Sequence, residues 1–433
     1  MKNIGKELDY RQACAYLEFT KSLGSRPGLE NITTLCRLIG DPQNSVKTIH
    51  IAGTNGKGSV SAMTASILQS AGFKTGLYLS PHLGEYTDAM RINGRNADKE
   101  EFAESICFVR DKAKEMAEDG LYPTEFELLT ATAFLWFYER GCDFAVIETG
   151  LGGRLDATNV IKKPLLSIIT PISKDHTTIL GDTIEKIAAE KCGIIKPDGI
   201  TVASPVQEEA ALNVIQKAVA ERNNSLIIPD MQQATCENAT LTGSDCFYKG
   251  FSFHLPLIGF HQLYNAVTTI EAARALNQYY GYNIKDEHIK NGIEQVRMQA
   301  RQELLRTEPI VLLDGAHNLQ GIEALCRTMD QNLQGRKTAV VMGMLKDKDY
   351  KACIAQIAQR TGLFIAVQPP NDRALPVEEA ALAAKSFCRL VLERQDYTLA
   401  VKDALSYAGE EGAVVICGSL YMAAAMREAV LSL

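Results

Sequence analysis

The seven residues Gly53-Thr54-Asn55-Gly56-Lys57-Gly58-Ser59 carry the most legible chemistry in the sequence. A β-branched run, Thr48 to Ala52, leads into them, and a helical pattern follows at once. Glycines at such a junction let successive backbone N–H groups converge on an anion, and the helix N-terminus adds its positive dipole end. Lys57 supplies a cation for the β and γ phosphates, so the loop is expected to bind ATP. The alternative, an ordinary glycine-rich turn, does not account for the Gly-Lys pair. A Ser or Thr normally follows the lysine and gives its hydroxyl to magnesium. Gly58 stands there instead, so the metal needs another hydroxyl. The first glycine is also only three positions before Gly56, a shorter loop than most switch GTPases use.

Glu148 closes the apolar run Phe144 to Glu148, at the carboxyl edge where an open parallel sheet meets its ligand. It is the first choice for a magnesium ligand; capping the following glycine turn is the alternative. Ser80 ends another strand-like run, and by its own residues reads equally as part of a turn. Lys191, in a helical stretch beside Glu190, has the composition of a solvated surface lysine. Phe126 lies on a helical face and fits a core position as well as a ligand pocket.

These residues require an α/β scaffold. From Val46 onward, short β-branched runs alternate with segments of helical period. Strands are expected at Thr48 to Ala52, Gly76 to Leu79, Phe144 to Glu148, Leu165 to Thr170, Thr201 to Ala203, Ile310 to Leu313, Ala339 to Met342 and Ala413 to Cys417. Several are apolar throughout, which fits a mostly parallel sheet covered on both faces. Helices are expected at Val60 to Ala71, Glu125 to Arg140, Thr183 to Lys191, Asn265 to Tyr280 and Gly321 to Asn332. Asp230 to Gly259 reads as a small antiparallel excursion. The charged stretch Arg297 to Glu308 is the candidate linker, dividing an ATP-binding domain, 1–296, from a smaller doubly wound Rossmann-like domain, 297–433.

With 45 basic and 52 acidic residues the net charge is -7, so no global field draws the chain to nucleic acid or an anionic membrane. No apolar stretch approaches the ~20 residues of a bilayer crossing, and Met1 to Arg11 lacks the apolar core of a secretion signal. A cytoplasmic location is expected. The 11 cysteines are odd in number and form no CxxC, suggesting buried, reduced thiols rather than disulfides or a zinc site.

The shortened loop resembles that of the Mur ligase superfamily, and Ile49-His50-Ile51-Ala52 with GTNGKGS resembles folylpolyglutamate synthases and dihydrofolate synthases. Other landmarks agree in order: Arg26-Pro-Gly-Leu-Glu-Asn31, Ser80-Pro-His-Leu83, Glu148 to Asn159 (ETGLGGRLDATN), Asp175-His176, Glu190 to Pro197 (EKCGIIKP), Gly259 to Ala266 (GFHQLYNA), Asp314 to Asn318 (DGAHN) and Gly418 to Tyr421 (GSLY). The resemblance spans almost the whole chain. It implies a P-loop-containing, Mur-ligase-like central domain followed by the smaller domain, and a reaction in which ATP turns a folate γ-carboxylate into an acyl phosphate that glutamate displaces.

On that resemblance Ser80 makes the metal contact that Gly58 cannot, His176 helps hold a second magnesium, and Lys191 is carbamylated so that its new carboxylate binds metal. Carbamylation needs a neutral amine, hence a lowered pKa. His261, Gln262 and Asn265 match the nucleotide-contacting segment, with Asn265 on the adenine side. Arg301 matches the arginine of a Trp-Pro-Gly-Arg linker, although Met298, Gln299 and Ala300 precede it here. Asp314 and His317 are placed over the ATP, so the active site is expected between the domains. Ser419 and His317 are assigned to the incoming glutamate. Phe126 is assigned to stacking on the pterin, and Asp156 to hydrogen-bonding it. Where the family has Glu-Arg this chain has Asp88-Ala89, and Arg91 offers a replacement charge.

The implied substrates are folate or dihydropteroate and L-glutamate, the implied cofactors ATP and two Mg2+ ions with room for a monovalent cation, and the implied state a monomer. Two rivals stand beside this reading. A cell-wall Mur ligase would use the same chemistry on a UDP-linked substrate, but such enzymes carry a uridine-binding domain before the phosphate loop, and only 52 residues precede Gly53 here. A nucleotide switch without ligation would hydrolyse ATP indifferently to glutamate.

Overall fold

The computed structural model describes residues 8–22, 24 and 28–433. Arg26 and Pro27 of the Arg26 to Asn31 motif, and most of Met1 to Arg11, lie outside them. The described residues form two compact units, one running to Met231 and including Asn265–Ile293, the other comprising Gln232–Tyr264 and Glu294–Leu433.

The first unit is built on eight strands: β1 (Lys47–Ala52), β2 (Thr75–Tyr78), β3 (Met90–Ile92), β4 (Arg95–Asn96), β5 (Phe144–Glu148), β6 (Leu166–Ile169), β7 (Ile200–Ala203) and β8 (Ser225–Ile227). Their order is β4-β3-β2-β5-β1-β6-β7-β8. All neighbours from β2 to β8 run parallel, while β3 and β4 add an antiparallel edge. The central strands are buried along their length, the pattern of a sheet with helices on both faces. Ala145 and Ile147 of β5 join a core cluster with helices Tyr10–Ser22, Glu30–Leu38, Lys99–Ala117 and Glu125–Glu139. Ala52, Ile169 and Ala203 join another with helices Ile184–Lys191 and Glu209–Glu221.

Local signals fix these helices. Glu125–Glu139 opens on a capping box in which Thr124 and Glu127 satisfy each other's backbone N–H. Lys57–Ser70 starts directly after Gly56, and Ile184–Lys191 starts after the cap Thr183.

The second unit holds a three-stranded antiparallel sheet, β9 (Ala234–Thr240), β10 (Gly243–Tyr248) and β11 (Phe251–Leu255), where the excursion was expected. It also holds a six-stranded sheet of β12 (Glu303–Thr307), β13 (Ile310–Leu313), β14 (Thr338–Met342), β15 (Leu363–Ala366), β16 (Leu390–Glu393) and β17 (Ala413–Cys417). Its order is β12-β13-β17-β14-β15-β16, parallel except for β12. The last part of the charged stretch read as a linker is therefore an edge strand, whose charges sit where one side of a strand faces away from the sheet.

One cysteine expectation is corrected. Cys236 and Cys246 face each other across β9 and β10 and form a disulfide. Strand register brings them together, and their spacing in sequence gave no sign of it. The other nine cysteines are free, and all but Cys14 are buried.

Candidate active site

In the first unit the phosphate loop sits between β1 and the helix Lys57–Ser70. Two of its glycines are dictated by close approach. A Cβ on Gly53 would lie 1.8 Å from Thr170 Oγ1, and one on Gly56, at φ 83°, would lie 2.4 Å from Asn265 Oδ1. Asn265, expected at the nucleotide, thus lies against the loop. The loop is also held from the end of β6. The N–H groups of Thr54 and Asn55 donate to Pro171 O at 2.9 and 3.3 Å. Thr54 Oγ1 donates to Ser173 O and accepts from Ser173 N, both at 3.1 Å. Ser173 was not singled out in the sequence, where a serine three residues before His176 carries no signal of its own.

Glu148, in register with Ile51 of β1, is buried beside this loop. Its Oε1 is 3.8 Å from Lys57 Nζ, and its Oε2 accepts the Ser80 N–H at 3.3 Å. The Ser80 hydroxyl is buried without a hydrogen-bond partner. Lys191 is fully buried, and its Nζ donates to Gly53 O at 2.7 Å. Burial, and then the nearby charge of Lys57, bring its pKa down to about 7. The surface reading of Lys191 is therefore overturned. The structure brings Lys57, Glu148, Ser80 and Lys191 together around the loop.

His176 takes φ 50° ahead of the short helix Thr177–Leu180, and its N–H donates to Asp175 Oδ1 at 2.8 Å. The charge of Asp175 reaches Lys191, raising its pKa against the stronger effect of burial. Among the described residues no group of three or more His, Cys, Asp or Glu is gathered to hold a metal.

Phe126 is half-buried, with its ring 6.2 Å from that of Tyr78. A Cβ on Gly150 would be 2.5 Å from Phe126 Cζ, so the ring rests on the turn that follows Glu148. Asp156 is buried and occupied by that same turn. Its Oδ2 accepts from Leu151 N at 2.8 Å, and its Oδ1 accepts from Thr158 N and Thr158 Oγ1 at 3.0 and 2.5 Å. Asp88 serves its own turn, accepting from Glu85 N and Asn96 Nδ2. Arg91 is half-buried with its Nε unpartnered, and burial lowers its pKa.

In the second unit Asp314 follows β13. Burial raises its pKa to about 6 against the opposing effect of Arg301, and its Oδ1 accepts the Ala316 N–H at 3.1 Å. A Cβ on Gly315 would meet Arg301 Nη1 at 2.9 Å. His317 donates from Nδ1 to Gly315 O at 2.8 Å, which sets its ring. Ser419 is buried and caps the turn Leu420–Met422, accepting from Tyr421 N at 3.2 Å. His261 is half-buried, and desolvation, followed by Arg301 and Arg327, lowers its pKa to about 4. Gln262 is buried.

A family model for the Mur ligase middle domain matches residues 51–273, and one for the Mur ligase glutamate ligase domain matches 297–420. The chain belongs to the Mur ligase family. This Mur ligase is 34% identical to the dihydrofolate synthase/folylpolyglutamate synthase of Bacillus subtilis (strain 168), across 97% of this chain and 98% of the relative. It is 31% identical to the folylpolyglutamate synthase of Lacticaseibacillus casei, across 98% and 99%. Among solved structures, Mycobacterium tuberculosis folylpolyglutamate synthase complexed with ADP matches with a TM-score of 0.89 at 29% identity, covering 97% and 98% of the two chains. E. coli FolC in complex with DHPP and ADP matches with a TM-score of 0.86 at 25% identity, covering 98% and 99%. The expected fold class and the resemblance to folylpolyglutamate and dihydrofolate synthases are both borne out. The protein is an enzyme of the ligase class.

Proposed function

We propose that this ligase uses ATP to activate the γ-carboxylate of a folate as an acyl phosphate, which the amine of L-glutamate displaces, and that it joins dihydropteroate to glutamate in the same way. The observation that carries the reading is the setting of Lys57, Glu148, Ser80 and Lys191 around one phosphate loop. A carboxylate resists an amine because oxide would have to leave; phosphorylation replaces oxide with phosphate. The protein's part is then to hold the partners in line and to neutralise the charge they bring. Lys57 and the loop N–H groups take the phosphates, while Arg301 and Asp314 serve the nucleotide and His317 and Ser419 the glutamate. Phe126 and Asp156 border the pterin.

The residues fit magnesium in kind. Glu148 and the unpartnered Ser80 hydroxyl are hard oxygen donors, with His176 and a carbamylated Lys191 as the further ligands. When bound, the metal neutralises phosphate charge during transfer. The low pKa of Lys191 supports its modification, because carbon dioxide adds to the neutral amine. The domain division at 296/297 is supported by the matched ranges, 51–273 and 297–420. Among the described residues no helix is long and apolar enough to cross a membrane. The ligase is proposed to act as a cytoplasmic monomer on small molecules.

The test supplies dihydropteroate or tetrahydrofolate with glutamate and Mg-ATP and looks for the conjugates by mass spectrometry. Product from tetrahydrofolate alone would leave only the folylpolyglutamate synthase half. ATP turnover indifferent to glutamate with either acceptor would overturn the ligase reading in favour of a switch.

A further inference from the structure

The strand that feeds the phosphate loop carries a buried histidine without an assigned role. His50, Thr158 and Asp156 are 0%, 0% and 5% exposed, so water does not solvate the polar groups they share. Thr158 Oγ1 lies 2.5 Å from Asp156 Oδ1 and 2.8 Å from His50 Nε2. The carboxylate can only accept, so the hydroxyl spends its one proton on Asp156 and must accept from His50 Nε2–H. That sets the tautomer. It leaves His50 Nδ1 as a bare lone pair, and this atom is indeed buried without a partner. Desolvation, and then Lys196, keep the ring neutral, with a pKa near 3.

The chain runs from β1, three residues before Gly53, to the carboxylate that organises the turn after Glu148. The same turn is seated on the backbone around Lys191. Arg154 N donates to Glu190 O at 2.7 Å, and a Cβ on Gly153 would lie 2.8 Å from Lys191 O. Asn159 Nδ2 donates to Gly193 O at 3.2 Å. The side-chain relay therefore ties the strand of the phosphate loop to the turn that leaves β5, and that turn, through Arg154 N, Gly153 and Asn159, rests on the segment that carries Lys191.

We propose that His50 and Thr158 are positioning residues that hold Glu148 and Lys191 in register with the phosphate loop through the relay His50 Nε2–H to Thr158 Oγ–H to Asp156. Neither residue touches a reacting group. Their contribution is the geometry of those that do, where a displacement of an ångström is costly. The inference rests on the ligase reading for its kinetic test.

Thr158→Val keeps the shape and removes the relay, whereas Thr158→Ser keeps the hydroxyl. Thr158→Val should lower kcat for ligation by about 10- to 100-fold with KM for ATP changed little, and Thr158→Ser should stay within about 3-fold of the parent. Ile106→Ala, a core truncation in the helix Lys99–Ala117 of the same unit, away from the helix that carries Lys191, controls for lost stability and should leave kcat within that range. Should Thr158→Val fail to fold, His50→Leu, which removes only the outermost donor, takes its place. A relay-broken variant with parental kcat, a serine variant as slow as the valine one, or an equal kcat loss in Ile106→Ala would overturn the proposal. Hydrogen exchange over residues 150–159 reads the relay without ligation, and should quicken in Thr158→Val but not in Thr158→Ser. Parental exchange in Thr158→Val would sink the relay. Absent ligation in the parent, with exchange as expected, would count against the ligase reading alone.

Discussion

Charge at single residues governs this site. Glu148 has one oxygen facing Lys57 and the other bound to the Ser80 N–H. Glu148→Gln preserves the shape and an acceptor for Ser80 but removes the negative charge, so the fold should survive while ligation falls by about 100-fold or more. Near-parental turnover in a steady-state assay would remove Glu148 from the reaction. In protein kept free of carbon dioxide, so that the amine is not carbamylated, Lys191 gives a pH test with a definite sign. Its ordinary value is 10.5, and burial brings it to about 7 in the folded protein. Between those values the unfolded chain holds a proton that the folded one does not, so this residue costs progressively more stability as pH falls from 10.5 to 7, and no more below that. Lys191→Met removes the cost. The melting temperature of Lys191→Met minus that of the parent should be largest at pH 7 and shrink toward pH 10, while turnover drops by at least about 10-fold. A difference that does not change with pH would mean that Lys191 is not a buried amine.

At the scale of elements, the strand-loop-helix unit was legible because glycine, lysine and a β-branched run each leave a local mark. So was β5, an unbroken apolar run ended by a carboxylate. Gly56→Ala tests how tightly that unit is set. It would place a methyl 2.4 Å from Asn265 Oδ1 at φ 83°, a conformation that costs roughly 1–3 kcal/mol for a residue with a Cβ. Binding of a fluorescent ADP analogue should be lost, with the far-UV circular dichroism of the parent retained; normal affinity would show that Asn265 and the loop yield easily. What the sequence hid were short or exposed pieces. β3 and β4 are three and two residues long, and β16 is half-exposed, so none has the apolar length that marks a central strand. The Thr54–Ser173 bonds and the His50–Thr158 relay were equally invisible, since they join residues more than 100 positions apart. Lys191 was misread from composition for a related reason. Its helix presents it to the interior, and only the assembled β1 and phosphate loop supply the carbonyl that receives it.

Across the whole molecule the net charge of -7 supplies no attraction for an anionic nucleotide, so affinity rests on the few cations placed at the loop. Burial has a second consequence, spread over the entire chain, that a single experiment can read. Of the nine free thiols, eight are buried, and burial raises Cys36 and Cys192 to about 12 and Cys142 and Cys326 to about 11. A thiol reagent reacts with thiolate, so these residues are protected both by packing and by lack of charge. Cys14 is partly exposed, though its pKa is raised too. Titration of the native protein with an aromatic disulfide reagent should therefore label no more than Cys14. In denaturant without reductant all nine free thiols should react. After reduction in denaturant the count should reach 11, because the Cys236–Cys246 pair opens. Eleven thiols before reduction would show that β9 and β10 bring the two cysteines together without joining them. Several fast thiols in the native state would show that the cores of the units open far more readily than their packing implies.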